Sequence, residues 1–137
     1  MDILFYFISF ILGYMVSAFF IANILIILIF SIPNTKRLKK INCLNDTNAS
    51  LIIRSNIMSI VICIFIVLVV SALNFIFLKS SLVGYIVGIC LPLLLNIKKF
   101  GNTQDNRDDY NQNYYKYFEK DYQDSLFELI NNIPMNK

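Results

Sequence analysis

Charged residues divide this chain into long apolar stretches. None falls between Ile3 and Thr35, between Ser55 and Leu78, or between Ser80 and Ile97, and short basic patches separate the three. The hydrocarbon core of a bilayer is about 30 Å thick, and about 20 apolar helical residues cross it. Each stretch reaches that length, the third only near the lower limit. Inside lipid every backbone amide and carbonyl has to be satisfied within a helix or a closed barrel. The pattern therefore predicts an all-α membrane protein with three transmembrane helices, over residues 3–32, 55–78 and 80–97 of a 1–100 membrane domain. Pro33 disfavours helix at the residue before it and sets the expected end of the first helix near Ser31 and Ile32. The polar run Asn42 to Asn48 has turn chemistry, and Asp46, Thr47 or Asn48 suits a cap for the second helix. A connection as short as the one at Lys79 makes helices two and three an antiparallel hairpin.

Beyond Lys99 the pattern changes. Residues 101–113 are rich in Asn, Asp, Gln and Gly and read as a flexible linker. Over residues 114–137 apolar positions recur at Tyr115, Phe118, Tyr122, Leu126 and Ile130, which predicts a cytoplasmic amphipathic tail helix. Its polar face mixes Lys116, Glu119, Lys120, Asp121, Asp124 and Glu128. A helix lying on a membrane surface usually carries a lysine-rich face, so docking on protein is preferred. The stretch Tyr114–Ile130 is the expected contact with a membrane or cytoplasmic partner.

Small residues recur four apart in every span: Ser9, Gly13 and Ser17; Ser55, Ser59 and Cys63; Ser80, Gly84 and Gly88. Positions four apart share a helix face, and small ones let backbones approach where no hydrophobic drive assembles helices. Packing within a three-helix bundle is the preferred reading. A homo-oligomer seam through Gly84 and Gly88 is the sharper alternative. Asn23 and Asn74 are polar groups at membrane depth and are expected to bond across helices.

Charge then orients the chain. Lys36, Arg37, Lys39, Lys40 and Arg54 lie between the first two spans, and Lys98 and Lys99 follow the third, whereas Lys79 alone marks the other connection. Positive residues stay cytoplasmic, so the expected topology is amino terminus out and tail in. Composition agrees, at 57% hydrophobic and 15% charged residues. The first stretch opens on Asp2 rather than a basic segment and has no small-residue cleavage site, so it is expected to be retained. The net charge of +3 hides a split, with eight basic and two acidic residues in 1–100 against four and seven in 101–137. A mixed-sign, acidic-leaning tail argues against nucleic acid and against an anionic-membrane clamp. The basic set can attract anionic headgroups, although topology alone accounts for each lysine taken singly. Cys43, Cys63 and Cys90 have no paired spacing and read as small apolar fillers. The chain has no histidine, which removes a histidine base, a Ser-His-Asp triad and imidazole ligands. Neither a metal nor another cofactor is expected.

Four patterns, in order, resemble the N-terminal half of the bacterial acyl-phosphate:glycerol-3-phosphate acyltransferases, multi-pass enzymes of phospholipid synthesis. Ile11 to Asn23 is similar to the family's first-helix pattern but lacks its Ser-Ile-Pro. Ala49, Ser50 and Arg54 match the second part of its glycine-rich cytoplasmic loop, without the glycines. Gly88, Pro92 and Lys98 match the start of a later motif, without its histidine and Gly-Gly-Lys-Gly. Leu68–Ala72 sits where the family has an Asp-x-x-Lys-Gly, and neither charge is kept. The resemblance covers residues 8–99 and implies an inner-membrane lipid enzyme whose catalysis is weak or lost. A glycine-rich loop holds phosphate through closely approached backbone N–H groups, which this loop no longer offers. No catalytic residue is assigned. The phosphate-facing set that the resemblance implies is Lys40, Asn45, Asn48, Ser50, Arg54 and Lys98, with Arg54 foremost for its bidentate fork. Without the resemblance, Arg54 reads as a snorkelling interfacial anchor. Two other classes compete: a non-enzymatic membrane scaffold acting through the tail helix, and a holin-like pore former. A channel or transporter fits less well, because no charge lies inside a span and no inverted repeat is visible.

Overall fold

The computed structural model describes residues 2–78 and 81–118. The expected turn at Lys79, the packing role of Ser80 and the tail-helix positions Tyr122, Leu126 and Ile130 lie outside them. The described residues are almost entirely helical and contain no strand. Helix α1 is Ile3–Lys40 and α2 is Asp46–Phe77. Helix α3 is Leu82–Leu95 and α4 is Gln104–Tyr114.

Helix α1 runs past Pro33 to Lys40, eight residues or so beyond the end the sequence suggests. The reason is a π turn at Ile27–Ser31, where the Ile32 N–H reaches back five residues to the Ile27 carbonyl. The wider turn seats Pro33 at the start of a new α-helical segment, where its missing N–H is tolerated. The Thr35 hydroxyl also bonds the Ser31 carbonyl at 2.9 Å. A second π turn occupies Ser17–Ile21. The helix closes in a Schellman motif: Asn42, at φ 60°, takes the left-handed position, with Asn42 N–H on Lys39 O and Cys43 N–H on Leu38 O. Helix α2 then starts at Asp46 and its cap is Asn45, not the three candidates after it. Asn45 Oδ1 accepts the Asn48 N–H at 2.7 Å.

Helices α1 and α2 are each long and apolar enough to cross a membrane, and the count rises to three if α3 and the helical stretch after it form one span. Only 11% of the apolar window of α2 is buried. Its outward side chains, among them Ile57, Val61, Phe65, Leu68, Phe75 and Phe77, are exposed. A helix this apolar and this uncovered is compatible with an integral membrane protein.

The chain falls into two compact units, residues 1–25 with 59–98, and residues 26–58 with 99–137. In the first, α1 packs on α3 through glycines. A Cβ at Gly13 would run into the Tyr85 carbonyl, one at Gly88 into that of Phe10, and one at Gly84 would stand 2.7 Å from Tyr6 O. Such backbone proximity maximises dispersion contact in the absence of a water-driven force. Polar groups bond across this unit: Ser17 to Ile89 O at 2.8 Å, Ser71 to Tyr85 Oη at 2.8 Å, and Asn23 to Cys63 Sγ at 3.6 Å. Ser9 touches both Asn74 and Ser81, and Ser81 touches Leu78 O. Two hydroxyl protons cannot serve those three contacts. The chain closes with a proton at every link when Asn74 turns its amide NH2 toward Ser9. On α2, Cys63 is buried and Ser55 is exposed, so the small positions of that helix do not share one buried face.

Candidate functional site

The second unit holds the densest polar construction. Its core is Phe30 and Leu38 from α1, Cys43 and Leu44 from the turn, Ala49 and Ile52 from α2, and Tyr110 and Phe118 from the carboxy-terminal side. Helix α4 is the surprise, because residues 101–113 read as a linker. Thr103 caps it by accepting the Asn106 N–H at 3.3 Å, and the Asn106 amide donates to the Lys99 and Gly101 carbonyls. Those bonds tie the preceding turn to the helix. Tyr110, Tyr114 and Phe118 follow at four-residue spacing and face the core.

The tyrosines lock onto α1 and α2 through neutral hydrogen bonds. Thr35 gives its one proton to Ser31 O, so at 2.6 Å it accepts from Tyr110 Oη. Tyr114 donates to Asn56 Oδ1 at 2.7 Å, and the Asn56 amide donates to Ser31 Oγ at 2.9 Å. Asn48 donates to Tyr117 O at 2.6 Å. Ring contacts continue the pattern, with Tyr110 edge-on to Phe30 at 6.1 Å and to Tyr114 at 4.9 Å. Burial raises the Tyr110 and Tyr114 phenols above their ordinary value, so both remain protonated donors. Burial also raises the Cys43 thiol. Asn56 is only 3% exposed and both ends of its amide are engaged, which makes it the hub of the latch.

The phosphate-facing candidates differ in their surroundings. Asn45 is occupied as the cap, Asn48 holds Tyr117, and Ser50 donates to Thr47 O at 2.7 Å. Lys40 and Arg54 are exposed, and Lys98 is exposed in the first unit. Helix α4 borders a cavity of about 410 Å³ lined by Asp108, Asn111, Gln112 and Tyr115. The latch residues Ser31, Thr35, Asn56 and Tyr110 escape a sequence reading. The Tyr110-Tyr114-Phe118 spacing was the available signal, masked by polar neighbours.

No protein family, curated protein or solved structure matches the chain. The acyltransferase resemblance accordingly rests on the quoted residues alone.

Proposed function

We propose that this is an integral membrane adaptor without catalysis of its own, crossing the bilayer three times with its amino terminus outside and its carboxy-terminal side in the cell. The tyrosine latch carries the reading. Neutral donors and acceptors, with no ionised group among them, hold α4 against the ends of α1 and α2. Such a network fixes a segment in place and offers neither a nucleophile nor a general base. The apolar stripe of Tyr122, Leu126 and Ile130 follows Phe118 in sequence and is the proposed contact for a partner. The test compares the full chain with one ended after Phe118, by proximity labelling in native membranes. The adaptor reading expects the truncated chain to keep its thermal stability and lose its labelled neighbours. An identical neighbour set would reject it.

The acyltransferase reading is second, favoured by the exposure of Lys40 and Arg54. Acyl transfer from acyl phosphate to glycerol 3-phosphate by the purified protein, abolished in Arg54→Ala, would establish it. Absence of both turnover and glycerol phosphate binding would reject it.

A further inference from the structure

Because α1 stays helical to Lys40, its basic residues occupy a helix surface rather than a loose loop. Thr35 and Leu38 turn inward and are buried, which leaves Lys36, Arg37 and Lys40 outward and exposed. The same unit carries Asp105, Asp108 and Asp109, all exposed on α4. Even so, the ion pair formed in this region is Lys39 with Asp46, at 3.2 Å. Lys36, Arg37, Lys40 and Arg54 have no acidic partner among the described residues. The Ser31–Asn56 and Lys39–Asp46 pairs fix the antiparallel register, which puts Arg54 about one helical turn deeper than Lys36. Exposed apolar side chains, Ile41, Leu51 and Ile57, accompany these cations.

We propose that this end of α1, with the facing turn of α2, is a binding surface for anionic phospholipid headgroups. The proposal rests on the membrane-spanning reading. Lys36, Arg37 and Lys40 meet headgroup phosphates directly, and Arg54 reaches them from below by extending its apolar stem along the helix. Cations interleaved with exposed apolar side chains suit the boundary between acyl chains and headgroups. A closed site for a soluble phosphate ester would need converging neutral donors, and the Asn48 amide and the Ser50 hydroxyl are engaged elsewhere.

The full chain in neutral detergent is titrated with short-chain phosphatidylglycerol, phosphatidylcholine or glycerol 3-phosphate, reading bound lipid by native mass spectrometry. Phosphatidylglycerol is expected to bind preferentially, with each cation removed in K36Q, R37Q and K40Q weakening it roughly fivefold. The preference should shrink as salt shortens the screening length. Equal binding of the two lipids, or an unchanged preference in the triple variant, overturns the proposal. Competition by glycerol 3-phosphate at equal concentration also overturns it, in favour of a soluble-phosphate site. Arg54→Lys, which keeps the charge, should retain the preference. Recovery of the chain as a soluble monomer without detergent would be a failure of the membrane reading itself.

Discussion

Replacing Asn56 with Ala should open the latch. The substitution removes two hydrogen bonds, to Ser31 and from Tyr114, and leaves the Tyr114 hydroxyl to Ser31 and Ser55. A hydrogen bond contributes about 0.5–1.5 kcal/mol net. The combined effect on local opening is about 2 kcal/mol, which multiplies the open population roughly 30-fold. Cys43 reports that population. It is 5% exposed and lies in the core beneath Tyr110 and Phe118. A reagent reaches it only when the latch lifts. In a background carrying C63A and C90S, the alkylation rate of Cys43 should rise by that factor in Asn56→Ala. Tyr114→Phe should give a smaller rise, since it strands only the Asn56 carbonyl. The double variant should fall short of the sum of the two, because they share one bond. Unchanged labelling in Asn56→Ala would show that α4 is not held through this residue.

Gly88→Ala should disrupt the α1–α3 crossing by about 1–3 kcal/mol, because the new Cβ meets the Phe10 backbone carbonyl. Gly101→Ala, with nothing within 4 Å of the new atom, should stay within about 0.5 kcal/mol, and denaturant titration in detergent separates the two. Asn45→Ala should lower stability by about 0.5–2 kcal/mol through loss of the cap, with Asn45→Asp restoring most of it. Burial raises Tyr110 above its ordinary pKa of 10.0, so the folded state holds that proton more tightly than the unfolded one. Its contribution is intact below that pH and is lost as pH rises beyond it. Proteolysis of the 99–118 segment should accelerate in that alkaline range, and less so in Tyr110→Phe.

That α1 and α2 are long and apolar enough to cross a bilayer was legible, because a run of 18 or more residues without charge carries that meaning whatever packs beside it. The end of α1 was not, because Pro33 sets only a preference against helix at the residue before it, and Ile32 keeps helical angles, φ −65° and ψ −48°, where the π turn ends. Helix α4 was hidden by composition. Asn106, Asp108, Asp109, Asn111 and Asn113 have weak helix propensity, and a segment this short forms chiefly because Tyr110, Tyr114 and Phe118 find a core to bury in. That core is made by residues far away in the chain. The hub role of Asn56 is equally non-local, since an asparagine bordering an apolar run gives no sign of the tyrosine that meets it 58 positions later.

On the proposed reading this polypeptide folds in lipid, with α1 and α2 threading it in a set direction. In a chain freed of its native thiols by C43A, C63A and C90S, single substitutions Ile3→Cys and Asn113→Cys can be probed in intact cells with a membrane-impermeant thiol reagent. Labelling is expected at position 3 from outside, and at position 113 only after permeabilisation. Labelling of position 113 in intact cells, with position 3 protected, would contradict it.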